Sequence, residues 1–253
     1  MFMSGAIAAY SDAFSSYKKS MVDCSLYSIT TVAVGSVLAA FLLATAVVLG
    51  IFSIGGVVNS IMSGKGFSVE LLGMALTSFV VAIGLLIFLL VQGGLSASYL
   101  ETLYILHSGR KQSLAGLFFR IPRYAVRMLL LTIIIGVVLS APIAAGILIS
   151  NMVGWGLAGI AVTTALVLFS MFLSIFFIFA MPAMVVDDRG PLDAVKISVV
   201  HTIKHFIQVA IFVVVSSLIA LPALIPFLGA IYFVVFYLPL SQTALLVLYK
   251  HAR

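Results

Sequence analysis

The densest set of chemically capable side chains is Asp187-Asp188-Arg189-Gly190-Pro191-Leu192-Asp193-Ala194-Val195-Lys196-Ile197-Ser198, with Lys204 following. Three carboxylates so close together offer the hard oxygen ligands that Mg²⁺ or Ca²⁺ takes. They lack the regular ligand spacing of a cation loop, and a simpler chemistry accounts for them. Asp-Arg-Gly-Pro reads as a turn, Pro191 suits the first helical position, and Asp193 complements the positive end of the helix dipole. His201 and His205 stand four apart on one helical face, a spacing suited to zinc. No Glu follows His201 and no third ligand is near, so the H-E-x-x-H mechanism is absent. The chain also has no hydrolytic triad and no phosphate-cradling loop. No metal, cofactor or catalytic assignment follows, and an enzyme is not expected. The lone Cys24 has no intrachain partner and reads as a small apolar residue rather than a lipidation site.

These polar residues punctuate an otherwise apolar chain. It is 64% hydrophobic and 8% charged, against roughly 45–50% and 25% in soluble domains. Residues 24–64, 71–100, 128–186 and 205–249 contain no Asp, Glu, Lys or Arg. A soluble core would interleave charge on its wet faces, so the solvent here is a bilayer. A helix crosses about 30 Å of hydrocarbon with about 20 residues. The first two windows hold one span each, at 29–54 and 71–91. The third divides at the glycine-containing turn 150–156 into 128–149 and 157–179. The fourth divides at Pro222 and Pro226 into 206–220 and 230–248.

With six spans, both termini share a side with segments 101–127 and 181–205. That side carries every basic residue but Lys65: Lys18, Lys19, Arg110, Lys111, Arg120, Arg123, Arg127, Arg189, Lys196, Lys204, Lys250 and Arg253. The positive-inside rule makes it cytoplasmic, predicting a multi-pass protein of the cytoplasmic membrane with both termini inside. The formal charge of +6 then reflects orientation and attraction to anionic headgroups. It does not call for a nucleic acid.

Each helical pair is preceded by an amphipathic segment. Ile7, Tyr10, Phe14, Tyr17 and Met21 match Leu114, Leu117, Ile121, Tyr124 and Met128, and then Leu192, Val195, Val199, Thr202 and Phe206. The common spacing is one helical face, and the second residue after each start is small: Ala9, Gly116, Ala194. The fold expected is a single all-α domain over residues 1–253, with six transmembrane helices and three cytoplasmic interfacial helices. Its repeats fall at 6–112, 113–190 and 191–253. Lys18, Lys19, Arg120, Arg123 and Arg127 are the residues placed to meet lipid headgroups.

The stretch Pro182-Ala-Met-Val-Val-Asp-Asp-Arg-Gly-Pro-Leu-Asp-Ala-Val-Lys-Ile-Ser198 resembles six-helix membrane domains of archaea and bacteria. One branch of these precedes the catalytic domain of glycerophosphodiester phosphodiesterases. The likeness rests on the pattern Pro, apolar run, acid, Gly, x, x, acid, Ala, x, x, Ser, and that family's usual glutamates correspond to Asp188 and Asp193. Since residues 1–253 supply no soluble catalytic domain, the resemblance implies a membrane module rather than phosphodiesterase activity.

No ionisable residue falls inside the spans so drawn, which argues against a proton or ion path. The function expected is a non-catalytic integral membrane module that interacts with lipids, scaffolds partners at the cytoplasmic face, or does both.

 The lipids expected are anionic, drawn by the basic side. The docking residues expected are Asp187, Asp188, Arg189, Asp193, Lys196, Ser198 and Lys204. The alternative is a transporter or permease-like subunit, with the helix 191–205 coupled to a cytoplasmic partner.

Overall fold

The computed structural model describes the backbone of residues 3–63 and 68–252 and the side chains of 5–48, 50 and 75–252. Lys65 lies outside the described residues. The fold is all-α: α1 (Met3–Lys19), α2 (Met21–Ser63), α3 (Ser68–His107), α4 (Leu114–Phe119), α5 (Ile121–Val153), α6 (Leu157–Ser174), α7 (Ala180–Val186), α8 (Pro191–Lys204), α9 (Phe206–Ala220), α10 (Leu228–Tyr232) and α11 (Leu238–Ala252). Among the described residues, six stretches are long and apolar enough to cross a bilayer: Met21–Val48, Ala75–His107, Ile121–Val153, Leu157–Val186, Phe206–Leu224 and Leu228–Ala252. They form three antiparallel hairpins, α2/α3, α5/α6–α7 and α9/α10–α11.

The short helix before each hairpin is separated from it by one non-helical residue: Ser20, Arg120 and His205. In the first and third units the break falls directly before the span, as the repeat predicts. In the second it falls seven residues early, at Arg120 rather than Arg127. Pro122 explains the shift, because a proline ring collides with the carbonyl four residues earlier, here that of Phe118. The chain therefore breaks after Phe119, and α5 restarts with Pro122 in its first turn, where a missing N–H is no loss.

The buried face of these short helices is also rotated from the expected apolar stripe. Ile7 and Phe14 on α1 and Leu192 on α8 are half-exposed or more, whereas Ala6, Ala9 and Ala13, and Ala194, Ser198 and Thr202, are fully buried. Small side chains let these helices approach their neighbours closely. Of the residues in the predicted stripe, Tyr17, Tyr124 and Thr202 occupy one repeat position and are all buried.

The largest fully buried side chains, among them Tyr124, Tyr249, Phe179, Leu100, Leu103 and Met184, lie toward the charged end of the hairpins. We call this end the base. Farther out, Val37, Phe41, Leu76, Phe79 and Val137 are more than half exposed, which is affordable only against lipid. Gly93 and Gly94 lie inside α3 and pack against α5. An added Cβ at Gly94 would stand 2.7 Å from the Ile121 carbonyl oxygen, and one at Gly93 2.9 Å from Met128 Cβ.

Between α10 and α11 the helix widens into a π turn at Phe233–Tyr237. Pro239 has no N–H for the Val235 carbonyl four residues earlier. That carbonyl instead accepts from the Tyr17 hydroxyl at 2.7 Å and the Ser25 hydroxyl at 3.2 Å. The N-terminal helix is thus tied to the last hairpin by a group that a proline released. Tyr10 adds a second tie, with its hydroxyl against that of Ser216 and its ring stacked on Phe212 at 5.3 Å. Burial pushes the Tyr10 hydroxyl up to about 12.

Candidate functional site

At the base, ion pairs and hydrogen bonds join polar residues of α3, α5, the α7–α8 connection and α11. The acidic centre of the base is Asp188, in the left-handed region at φ 51°, where Asp is among the few non-glycine residues tolerated. Arg127 Nη1 donates to Asp188 Oδ1 at 2.5 Å, and Arg123 Nη2 stands 3.2 Å from the same oxygen. Arg127 first, and then Arg123, hold the Asp188 carboxyl below its ordinary value.

Beside it the Tyr249 hydroxyl donates to Asp187 Oδ2 at 2.6 Å, and the His201 ring stacks on Tyr249 at 5.8 Å. Ser198 is fully buried. Its hydroxyl donates to the Phe176 carbonyl at 2.7 Å and accepts from the Phe179 N–H at 3.0 Å. It fastens α8 to the irregular segment 175–179, which Pro182 prevents from continuing as a regular helix.

The expected second span ends at 91, yet α3 continues to His107 as one apolar helix carrying Glu101 inside it. Its side chain is 17% exposed and stands 3.4 Å from Arg120 Nε, while Arg120 Nη2 donates to Gln112 Oε1 at 3.2 Å. An acid in a long apolar helix requires such a partner.

The expected docking and lipid residues therefore separate into two groups. Asp187, Asp188, Ser198, Arg120, Arg123 and Arg127 are brought together as internal ties between helices. Lys18, Lys19, Arg189, Asp193, Lys196 and Lys204 are exposed and join no ion pair among the described residues. Ser198, being buried, offers no docking surface. Among the described residues no cluster of three or more His, Cys, Asp or Glu is arranged to hold a metal.

A second feature lies outward from the base, between α2 and α3. A groove of about 350 Å³ is lined by Leu38, Phe41, Leu42, Ile83, Gly84 and Phe88, with Thr45 its one hydroxyl-bearing residue. Gly84 shapes it: an added Cβ would stand 2.9 Å from Leu42 Cδ1. Its volume falls in the range of small-molecule sites.

No protein-family model matches the chain, no curated protein matches it, and no solved structure matches its fold.

Proposed function

We propose that the chain is a non-catalytic module of the cytoplasmic membrane that holds lipid between its helices and presents the exposed face of α8 to a partner at the cytoplasmic side. The observation that carries this reading is the apolar groove between α2 and α3, bordered by Phe41, which is 74% exposed. A groove of this lining recognises hydrocarbon and little else. The ion pairs of the base support it by holding the hairpins together at one end. Lys18 and Lys19 on α1, with Lys196 and Lys204 on α8, suit anionic headgroups.

The test is lipid retention by the purified protein after detergent exchange. Gly84→Leu fills the groove and is expected to lower the lipid retained per protein without unfolding it. Equal retention by both proteins overturns the reading. The second reading, a transporter-like subunit, draws on two polar cavities of about 280 and 300 Å³ that share Gln242. Solute-dependent protection of a cysteine placed at Ser216 or Ser241 would favour it.

A further inference from the structure

We infer that the α2/α3 seam is a site for a single lipid whose headgroup is uncharged and bears hydroxyl or amide groups; this deepens the lipid-holding reading and rests on it. On α2 the residues Thr31, Gly35, Leu38, Leu42 and Thr45 recur at intervals of three and four, and so share one helical face. On α3 the matching face carries Tyr99, Ser96, Gln92, Phe88 and Gly84. Along both helices the stripe changes from polar near the base to apolar beyond it. The apolar part is the groove already described, and the polar part opens into a separate cavity of about 300 Å³.

Thr31, Gln92, Ser96, Tyr99 and Gln242 supply the polar groups of that cavity, and the π turn contributes Phe233 to its wall. No Asp, Glu, Lys, Arg or His lines it. Gln92 Oε1 and Thr31 Oγ1 are buried without a hydrogen-bond partner among the described residues. The Gln92 amide lies over Gly35, where an added Cβ would stand 2.6 Å from Gln92 Oε1. Glycine at that position is what leaves room for the amide beside the cavity.

The lining decides the class of headgroup. A phosphate or ammonium placed here would be an unpaired buried charge, far more costly than an unpaired amide or hydroxyl. A hydroxyl or amide of the ligand instead meets the buried oxygen of Gln92 and the Thr31 hydroxyl, whose unmade hydrogen bonds are themselves a cost. Gln242, reaching in from α11, adds two donors and an acceptor. The hydrocarbon chain then follows the continuous face outward past Leu38 and Leu42. The cationic side chains of the base have no part in this cavity, so its headgroup preference is opposite to theirs.

The experiment is native mass spectrometry of the full chain, loaded from mixed micelles with either a monoglycosyl diacylglycerol or a phosphatidylglycerol of the same acyl chains. Wild type should retain the glycolipid more strongly. Gln92→Leu should weaken glycolipid retention about tenfold, the effect of losing one hydrogen bond to a buried group, and leave phosphatidylglycerol unchanged. Ser96→Ala, a smaller change, should shift the same ratio if Gln92→Leu fails to fold. Gly84→Leu should weaken both lipids alike. If Gly84→Leu lowers both but phosphatidylglycerol binds as well as the glycolipid and neither polar variant alters the ratio, the headgroup inference fails while the lipid-holding reading stands. The cavity then holds water alone. If Gly84→Leu affects neither lipid, both fail.

Discussion

The Tyr17 hydroxyl donates to the Val235 carbonyl at 2.7 Å, across a sequence separation of 218 residues. It fills a position that the backbone N–H of residue 239 would occupy if that residue were not proline. Tyr17→Phe leaves the carbonyl with Ser25 alone, at 3.2 Å, and should cost about 1–2 kcal/mol. In a Pro239→Ala background the alanine N–H can close the helix on Val235, so the same change should cost about 1 kcal/mol less. Thermal unfolding of the four proteins in one detergent measures this; additive effects would show that the tie does not depend on the proline.

Asp188→Asn removes both ion pairs while keeping a residue that tolerates φ 51°. The Asp188 side chain is 54% exposed, so solvent screening limits the loss to about 0.5–1 kcal/mol. The sign follows from a lowered carboxyl: the stabilisation is complete above its ordinary value of 3.8 and disappears as pH falls through the lower folded value. Melting curves should separate wild type from variant near pH 6 and converge below pH 3.8. A gap that persists in acid would assign the effect to the turn rather than to charge.

Glycine replacements at the two α3 contacts should diverge. Gly94→Ala drives its Cβ against the Ile121 backbone carbonyl, which cannot move without shifting α5. A cost of about 1–3 kcal/mol is expected, partly offset by the better helix propensity of alanine. Gly84→Ala meets only the end of the Leu42 side chain, which can rotate away. Near-neutral stability is expected there, and similar losses at both sites would contradict the packing described.

The separation of basic residues into tied and exposed sets gives opposite phenotypes. Lys18→Gln with Lys19→Gln should reduce enrichment of phosphatidylglycerol around the protein in mixed nanodiscs, by about 1 kcal/mol per residue, at unchanged thermal stability. Arg120→Gln should do the reverse, because it leaves Glu101 without its ion-pair partner. Loss of stability in the lysine variant, or unchanged stability in Arg120→Gln, would overturn the assignment.

Topology is testable with single cysteines in a Cys24→Ala background. Ser113 precedes α4 and Gly156 precedes α6, at opposite ends of α5. An impermeant thiol reagent applied outside intact cells should label Gly156→Cys and spare Ser113→Cys. The opposite pattern would invert the orientation.

The six spans and their breaks were legible because hydrophobic length and helix breakers act locally. Gly154, Pro222 and Pro226 end helices wherever the rest of the chain goes. The same holds for Pro191 and Asp193, which sit in the first turn of α8 as expected. The buried face of α1 was less legible, since Ile7 and Phe14 outrank Ala6, Ala9 and Ala13 by hydrophobicity. Lipid inverts that ranking by solvating large apolar groups and leaving the small ones to pack. The partner of Glu101 was not legible, because Arg120 reaches it from the break between α4 and α5 rather than from α3. The tie from Tyr249 to Asp187 and the pairing of Gln92 with Gly35 leave no periodic trace, because each joins different helices.

The ties of α1 also set an order of assembly. Tyr10 and Tyr17 leave the ribosome early, but their partners Ser216 and Val235 follow 206 and 218 positions later. At about 5–20 residues per second that is a wait of roughly 10–40 s. Throughout it, α1 lacks α9 and α11, the helices it packs against most, while the first two hairpins have already been synthesised. Insertion of the spans and closure of the base are therefore separate events, and a nascent chain arrested before residue 216 would carry its hairpins in the bilayer with the N-terminal helix still undocked.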